Sequence, residues 1–323
     1  MNSIDFENKI NEYTSKGIPY FFTIDFELEK AFVCKCSDAA KNNIFFNIKG
    51  NKNYTEEKID KEVHLDYHLL DYHLFNKKFN LVTNEINKGE SFLLNLTFPT
   101  EIGVNLSLKE IFQTAQAPYK LLFQDKFVVF SPESFIQIKG DDVFTFPMKG
   151  TIASSVPNAE DKLLNNNKEM WEHNTIVDLM RNDLAIIAKN ITVDQYRYVE
   201  KISTHKGDIL QTSSRIKGTL PKNWRQTFGT DLLKLLPAGS ISGAPKEKTV
   251  EIIQNVELDK RGFYTGVFGL FDGQNLESAV SIRFIEESSE GKKIFRTGAG
   301  ITSHSIANEE YQELKHKIYI PKS

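Results

Sequence analysis

Apolar and polar positions change period several times along the chain, and the changes mark out elements. Tyr20–Phe26 and Ile44–Ile48 are short apolar runs that predict buried strands. Residues 51–63 are polar and charged and predict a loop, and 66–88 mix His, Tyr, Leu and Asn in a pattern that predicts a helix ending near Gly89. Ser91–Thr97 predicts a strand. Ser107 and Glu110 have the spacing of a capping box, so Ser107–Ala117 predicts a short helix closed by Pro118. Strands are expected at 119–130 and 134–138. Val143–Phe146 should then run into a tight turn at Pro147–Thr151 with Lys149 at its tip.

Beyond Lys149 the period becomes helical. Met170, Trp171, Val177, Met180, Leu184 and Ile187 predict one long helix or two abutting ones across 159–188. A strand pair is expected over 191–219. The small-residue run from Leu236 to Lys246 predicts a loop, and 246–256 predict a helix with Pro245 at its first turn. Strands should follow at 263–271, 277–285 and 293–297, then a turn at Gly298-Ala299-Gly300 and a helix from Ala307 to Lys317.

Composition narrows the class. The chain has 323 residues, 40% hydrophobic and 26% charged, with a net charge of -3, which is ordinary for a globular enzyme-sized protein. The charges are interspersed, so neither a nucleic-acid footprint nor a membrane-surface patch is expected. No apolar run is long enough to span a bilayer, and Met1–Asp5 does not begin a signal peptide, which points to a cytoplasmic protein. The two cysteines, Cys34 and Cys36, share one face of a strand and lack the further soft ligands a metal site needs.

Four features carry candidate chemistry. A Lys at position 149 beside apolar walls would hold its charge less easily, and a neutral amine can attack carbon. Glu169 and Glu172 share a helix face, as do Glu310 and Glu313, with Lys317 one turn on. Two such pairs suit a divalent cation with hard oxygen ligands, or else simply decorate solvated faces. Gly239–Lys246 and Gly298–Gly300 expose backbone N–H groups that can hold an anion, although ordinary turns use the same residues. Arg283, at the end of a β-rich run, would want a carboxylate if buried. Asp178, Arg181, Asn182 and Asp183 are explained by ion pairs within a helix end.

Taken in order, Pro147–Thr151, Ile176–Leu184, Gly239–Lys246, Arg261–Tyr264, Ser281–Arg283 and Gly298–Ile301 with Glu310–Glu313 resemble the motifs of the chorismate-utilising enzymes. That family includes anthranilate synthase component I, aminodeoxychorismate synthase component I, isochorismate synthase and salicylate synthase. The resemblance covers residues 89–317, and 1–88 match few of its features. It implies one synthase domain over 1–323, of mixed α/β class, with two large antiparallel sheets packed face to face and helices outside.

The resemblance also implies roles. Glu172 and Glu313 would bind magnesium, with Glu169 and Glu310 acting beside them. The magnesium would hold the ring carboxylate of chorismate. Tyr264, Arg283 and the Gly298, Ala299 and Gly300 amides would hold the enolpyruvyl carboxylate, with Lys317 near them and Thr151 beside the ring. Lys149 is similar to the lysine that many aminodeoxychorismate synthases are thought to add to the ring at C2 while the C4 hydroxyl leaves, before ammonia displaces it at C4. Anthranilate synthases typically carry Ala there. Isochorismate and salicylate synthases activate water with a Lys at the place of Leu93, which cannot serve as a base. Leu93 also replaces the Gln common in amine-transferring members, Gln211 stands where the family usually has His, and Ile152-Ala153-Ser154 replaces Arg-Pro-Arg.

The reading that results is component I of aminodeoxychorismate synthase, in the para-aminobenzoate branch of folate synthesis. Its rivals are anthranilate synthase component I and a non-catalytic chorismate- or metal-binding relative. Ammonia would come from a separate glutamine amidotransferase subunit. Neither cysteine has the surroundings of a glutaminase nucleophile, and the match leaves no room in the chain for an amidotransferase domain.

Overall fold

The structure is a computed structural model that describes residues 1–204, 207–257 and 259–321. Its strands are β1 Tyr20–Ile24, β2 Ala31–Lys35, β3 Ile44–Ile48, β4 Asn51–Lys52, β5 Leu65–Tyr67, β6 Leu93–Val104, β7 Tyr119–Phe123, β8 Phe127–Ser131, β9 Ser134–Lys139, β10 Asp142–Thr145, β11 Met148–Ala153, β12 Lys189–Thr204, β13 Gly207–Thr219, β14 Gly243–Ala244, β15 Val267–Phe271, β16 Leu276–Val280, β17 Phe284–Glu287 and β18 Lys293–Thr302. The helices are α1 Ser3–Ser15, α2 Tyr72–Asn87, α3 Leu108–Thr114, α4 Ala159–Leu164, α5 Asn167–Ala185, α6 Trp224–Leu235, α7 Gly239–Ser242, α8 Lys246–Val256 and α9 Ala307–His316.

The strands form two nine-stranded sheets in which every pairing is antiparallel. One runs β11-β13-β10-β9-β16-β15-β1-β2 with β12 on β13; the other runs β14-β6-β18-β17-β8-β7-β3-β4 with β5 on β6. The early strands β1 and β2 therefore extend the sheet that carries Lys149. A shared core of Phe21, Phe46, Leu121, Phe268 and Phe284 lies between the sheets, where Phe21 and Phe46 stack at 5.4 Å. Outside, α1, α5 and α6 cover the first sheet, and α2, α3, α8 and α9 cover the second. This is the mixed α/β fold expected from the family motifs. Among the described residues no helix is long and apolar enough to cross a membrane.

Local chemistry explains where the helices begin. Ser107 and Glu110 form the full capping box on α3. Asp71 accepts the His73 and Leu74 N–H groups at the start of α2. Helix 66–88 is therefore shorter than its pattern suggests: β5 occupies 65–67, where it gains cross-strand bonds to β6. Asn51–Lys52 form a short strand instead of loop, and Gln124–Lys126 break the expected 119–130 strand into a hairpin. Strand 263–271 starts only at Val267, because Arg261–Gly266 turn to wrap a buried ion pair described below. Helix α6 fills a stretch for which no element is expected. The 191–219 strand pair is present as β12 and β13, which pair with each other; residues 205–206 between them lie outside the described residues.

Four expectations need correction. Lys149 is not at the tip of a turn; it lies inside β11, which pairs with β13. Gly298–Gly300 are not a turn but the middle of β18, opposite Thr97, Leu96 and Asn95. Cys36 leaves the strand that holds Cys34 and opens a 3-10 turn, Cys36–Asp38, so the two do not share a strand face. Asp183 also differs: instead of closing an ion pair within α5 it meets Lys246 at 3.1 Å and lies against Gly239. Arg181 and Asp178 do pair within the helix, at 3.0 Å.

Candidate active site

β11 brings Lys149 to the centre of a charged group. The β11–β13 register shifts between Met148 and Thr151, and Gly150 takes a left-handed φ of 86°, which a residue with a side chain rarely adopts. The resulting bulge turns Lys149 toward α5, where its Nζ lies 3.4 Å from Glu172 Oε2. Glu169, one turn earlier on the same helix face, comes so close that a Cβ on Gly150 would sit 2.9 Å from its Oε2.

The opposite wall is α9. Glu313 pairs with Lys317 at 2.6 Å, and Lys317 Nζ also donates to the Gly298 carbonyl at 2.7 Å. Glu310 lies one turn before Glu313, and its buried Oε2 has no hydrogen-bond partner. The charge of Glu313 is felt at Glu169, and that of Lys149 at both Glu310 and Glu313, so the two Glu pairs and Lys149 belong to one charged group, and the space between β11, α5, α9 and β18 is the candidate cavity.

The floor is β18 and β6. Gly298 and Gly300 face the cavity together with Leu93 and Asn95, while Ala299 and Ile301 point the other way into the core under α2, α8 and α9. Without side chains the two glycines leave a smooth strand surface. A Cβ on Gly298 would meet Asn95 Oδ1 at 2.8 Å, and one on Gly300 would lie 3.8 Å from Lys149 Nζ and 3.6 Å from Leu93 Cδ1. Beyond Arg296 no strand pairs with the far edge of β18 among the described residues, so N–H groups on that edge are unclaimed by a sheet.

Arg283 sits where β16 hands over to β17, with a left-handed φ of 54°. Its Nε is buried and unpartnered. A guanidinium N–H without an acceptor is a site for a carboxylate. Tyr264 is buried at 3% exposure in the core between the sheets, 5.9 Å from the Phe284 ring, and burial pushes its hydroxyl pKa up. After burial, the charges of Arg261, Glu257 and Arg283 act on its hydroxyl. Thr151 is exposed, opposite Gln211, and no described polar contact joins it to the charged group.

Environment drives the carboxyls apart. Burial, then the charge of Glu172, raises the pKa of Glu169; burial, then Glu313, raises that of Glu310. Glu313 goes the other way: burial opposes its ionisation, but Lys317, Lys149 and Arg283 win and hold it below the ordinary carboxylate range. Burial lowers the pKa of Lys317 even against the pull of Glu313. Neighbouring carboxyls pushed in opposite directions are what divided acid and anion roles require.

The sequence reading misses Glu133. It lies in the Pro132-Glu133 turn between β8 and β9, accepts a hydrogen bond from Ser240 Oγ at 2.6 Å, and has its pKa raised by burial despite Arg283, Lys149 and Lys317 around it. An acid in a turn between two strands reads as solvated; here it is half-buried, with Ser240 of α7 against its carboxyl. A cavity of about 640 Å³ elsewhere, lined by Lys52, Tyr54, Lys109 and Phe112, touches none of this charged group. Chemistry, not volume, locates the site.

Hard carboxylate oxygens, one of them unpartnered at Glu310, suit magnesium. In the present arrangement, among the described residues, no three His, Cys, Asp or Glu side chains close into a metal cluster. Glu172 and Glu313 are instead each paired with a lysine.

A carboxylate-rich group with a central lysine and an arginine whose Nε lacks an acceptor, carried by two packed antiparallel sheets and their outer helices, could hold an anionic substrate. The family model for chorismate binding enzymes matches residues 21–322, and the chain belongs to that family. It is 52% identical over 316 residues to an uncharacterized PabA-like protein of Haemophilus influenzae, covering 98% of this chain and 96% of that one. It is 29% identical over 261 residues to aminodeoxychorismate synthase component 1 of Bacillus subtilis, covering 76% of this chain but only 54% of that longer protein. The solved anthranilate synthase component I of Streptococcus pneumoniae superposes with a TM-score of 0.66 at 27% identity, over 80% of this chain and 59% of that one. The protein is thus a chorismate-utilising enzyme.

Proposed function

We propose that this chain is the synthase component of aminodeoxychorismate synthase, converting chorismate and ammonia to 4-amino-4-deoxychorismate for para-aminobenzoate and folate synthesis. The observation that carries this reading is Lys149. The bulge delivers its amine to the cavity floor beside Gly300 and Leu93, where a nucleophile can reach a ring lying on the smooth strand. Leu93 offers no base to activate water at that place, which supports amination over hydration.

In the proposed reaction the Lys149 amine forms a C–N bond at ring C2, both ring double bonds shift (C1=C2 to C1=C6 and C5=C6 to C4=C5), and the C4–O bond breaks. The departing hydroxyl leaves as water after taking a proton. Glu133, Glu169 and Glu310, all pushed toward the neutral form, border the cavity and can donate it. Ammonia then attacks C4, both double bonds shift back, and the C2–N bond to Lys149 breaks. Arg283 and the open β18 N–H groups hold the enolpyruvyl carboxylate, and Lys317 adds positive charge on that side. Tyr264 supports Arg283 from the core, and Thr151 flanks the ring from β11. Glu172 and Glu313 would hold magnesium, which supplies charge for the ring carboxylate and Lewis-acid polarisation. Ammonia is proposed to come from a separate glutamine amidotransferase subunit.

The test is to incubate the protein with chorismate, magnesium and ammonium and identify the product. A product that keeps the enolpyruvyl group and carries nitrogen at C4 is expected. Anthranilate with release of pyruvate would contradict the reading and support the second one, which the 27% identity to an anthranilate synthase component I keeps in view.

A further inference from the structure

The bulge that aims Lys149 is held from behind by three buried polar residues. β13 grips residues 147–149 in sequence. The Ser214 N–H donates to the Pro147 carbonyl at 3.0 Å, and Met148 lies opposite Ser213. At Lys149 the ladder fails, because the register shifts before Thr151. A bulge leaves a backbone group without its partner, and a buried unpaired carbonyl costs about as much as a lost hydrogen bond. Here the Thr212 hydroxyl donates to the Lys149 carbonyl in place of a ladder N–H. Thr212 is fully buried, so it reaches neither solvent nor substrate.

Behind the strand stands His173, one residue after Glu172 on α5 and also fully buried. Its Nε2 lies 2.7 Å from Ser214 Oγ, which also accepts the Arg197 N–H at 2.9 Å. With an N–H already directed at its oxygen, Ser214 has its own proton free for His173 Nε2. The ring proton of the neutral imidazole then sits on Nδ1, which has no hydrogen-bond partner of its own. Burial, then the charge of Arg197, disfavours a second proton on the ring, and the nearby Lys149 backbone favours one, although no hydrogen bond closes between them. Helix α5 thus presents Glu169 and Glu172 to the front of the bulge and His173 to its back.

We propose that Thr212, supported by His173 and Ser214, is a positioning residue that locks the Lys149–Gly150 bulge and so directs the lysine amine into the cavity. The proposal rests on the reading of Lys149 as the nucleophile. A hydroxyl that only filled space would be replaced by Val without loss, whereas one that fixes the bulge cannot be.

The test compares Thr212→Val, Thr212→Ser and Lys149→Ala with the unsubstituted enzyme, at saturating ammonium and varied chorismate, with thermal unfolding measured alongside. Misplacement of a reacting group by about 1 Å can cost up to about a hundredfold, so Thr212→Val should lower kcat by roughly 10–100-fold with KM changed by less than about threefold. Thr212→Ser, which keeps the hydroxyl, should recover most of kcat. Acetic anhydride labelling mapped by peptide mass should show a changed rate at Lys149 in Thr212→Val and ordinary rates at other lysines. If Thr212→Val fails to fold, His173→Asn is read in the same assays with the same expectation. Normal kcat and normal Lys149 labelling in Thr212→Val, with Lys149→Ala inactive, would overturn the positioning role alone. An active Lys149→Ala would overturn the nucleophile reading and the positioning role with it.

Discussion

Lys149 Nζ lies 3.4 Å from Glu172 Oε2, so the proposed nucleophile is the counter-ion of a proposed metal ligand. Were Glu172 to hold a divalent cation, Lys149 would lose this counter-ion. Lys317 stands in the same relation to Glu313, at 2.6 Å.

This exchange is testable without turnover. Lys149 and Glu172 are each about one-third exposed, at 31% and 30%, so their pairing is modest. Pairs of this kind are worth at most about 1 kcal/mol, roughly a fivefold change in affinity. Lys149→Met should therefore tighten magnesium binding about that much by titration calorimetry in the absence of chorismate, and Glu172→Ala should weaken it. A Lys168→Met control removes the same charge beside Glu169 without breaking the pair and should have a smaller effect. Equal effects of the two lysine substitutions would show that only bulk charge matters.

The raised pKa of Glu310 has a consequence for stability. Burial disfavours its ionised form, so the folded pKa lies above the ordinary value of 4.5. The folded state then binds the proton more tightly than the unfolded state, and this contribution is complete below 4.5 and lost as pH rises through the folded value. Glu310→Gln removes the ionisation, so the melting temperature of the variant should gain on that of the unsubstituted protein as pH rises from about 4 to 8. A gain that shrinks over that range would mean that the ionised Glu310 is stabilised in the fold. Turnover should fall in the same variant, as expected where function is bought with stability.

Nitrogen source gives a third prediction. Burial pushes Cys34 up to about 11 and Cys36 up to about 12, so neither is a thiolate at neutral pH. The purified chain should use ammonium and not glutamine, and addition of a separate glutaminase subunit should confer glutamine use. Rates with ammonium should climb with pH, since NH₃ is the nucleophile. Glutamine-dependent turnover by the chain alone would contradict the need for a partner.

Arg261 tests a structural role. It is buried at 1% exposure, pairs with Glu257 at 2.6 Å, and donates to the Asn95 and Ile241 carbonyls, while Glu257 accepts the Thr97 N–H. The pair therefore ties β6, which carries the cavity floor, to α7 and α8. Removing one member of a buried pair strands the other charge, so Arg261→Met should cost about 3–5 kcal/mol in denaturant unfolding. A loss below about 1 kcal/mol would show that the brace is dispensable.

Much of this was legible in the chain. The spacing of Glu169 with Glu172 and of Glu310 with Glu313 follows from helical geometry, and both helices formed where their periodicity placed them. The α3 cap was legible for the same reason, since it is wholly local. The bulge at Lys149 was not, because Pro147 and Gly150 signal a turn as readily as a broken strand. Gly298 and Gly300 misled in the same way, their place in a strand being set by pairing with β6. Arg261 belonged to a motif, but nothing local distinguishes a brace from a ligand. Helix α6 carries Trp224, Phe228, Leu232 and Leu235 at helical spacing, so its pattern was available. His173 and Glu133 became meaningful only through long-range burial.

The central claim is that Lys149 forms a covalent bond to the ring, and its most direct test is Lys149→Ala assayed for aminodeoxychorismate with saturating ammonium and magnesium. The variant should bind chorismate and keep its melting temperature, yet lose turnover by at least about 10²–10⁴-fold, the scale of a single acid–base contribution. The unsubstituted enzyme, quenched during turnover and analysed by intact mass and peptide mapping, should carry a ring adduct on Lys149 that the variant lacks. Near-normal aminodeoxychorismate formation by Lys149→Ala would contradict the claim.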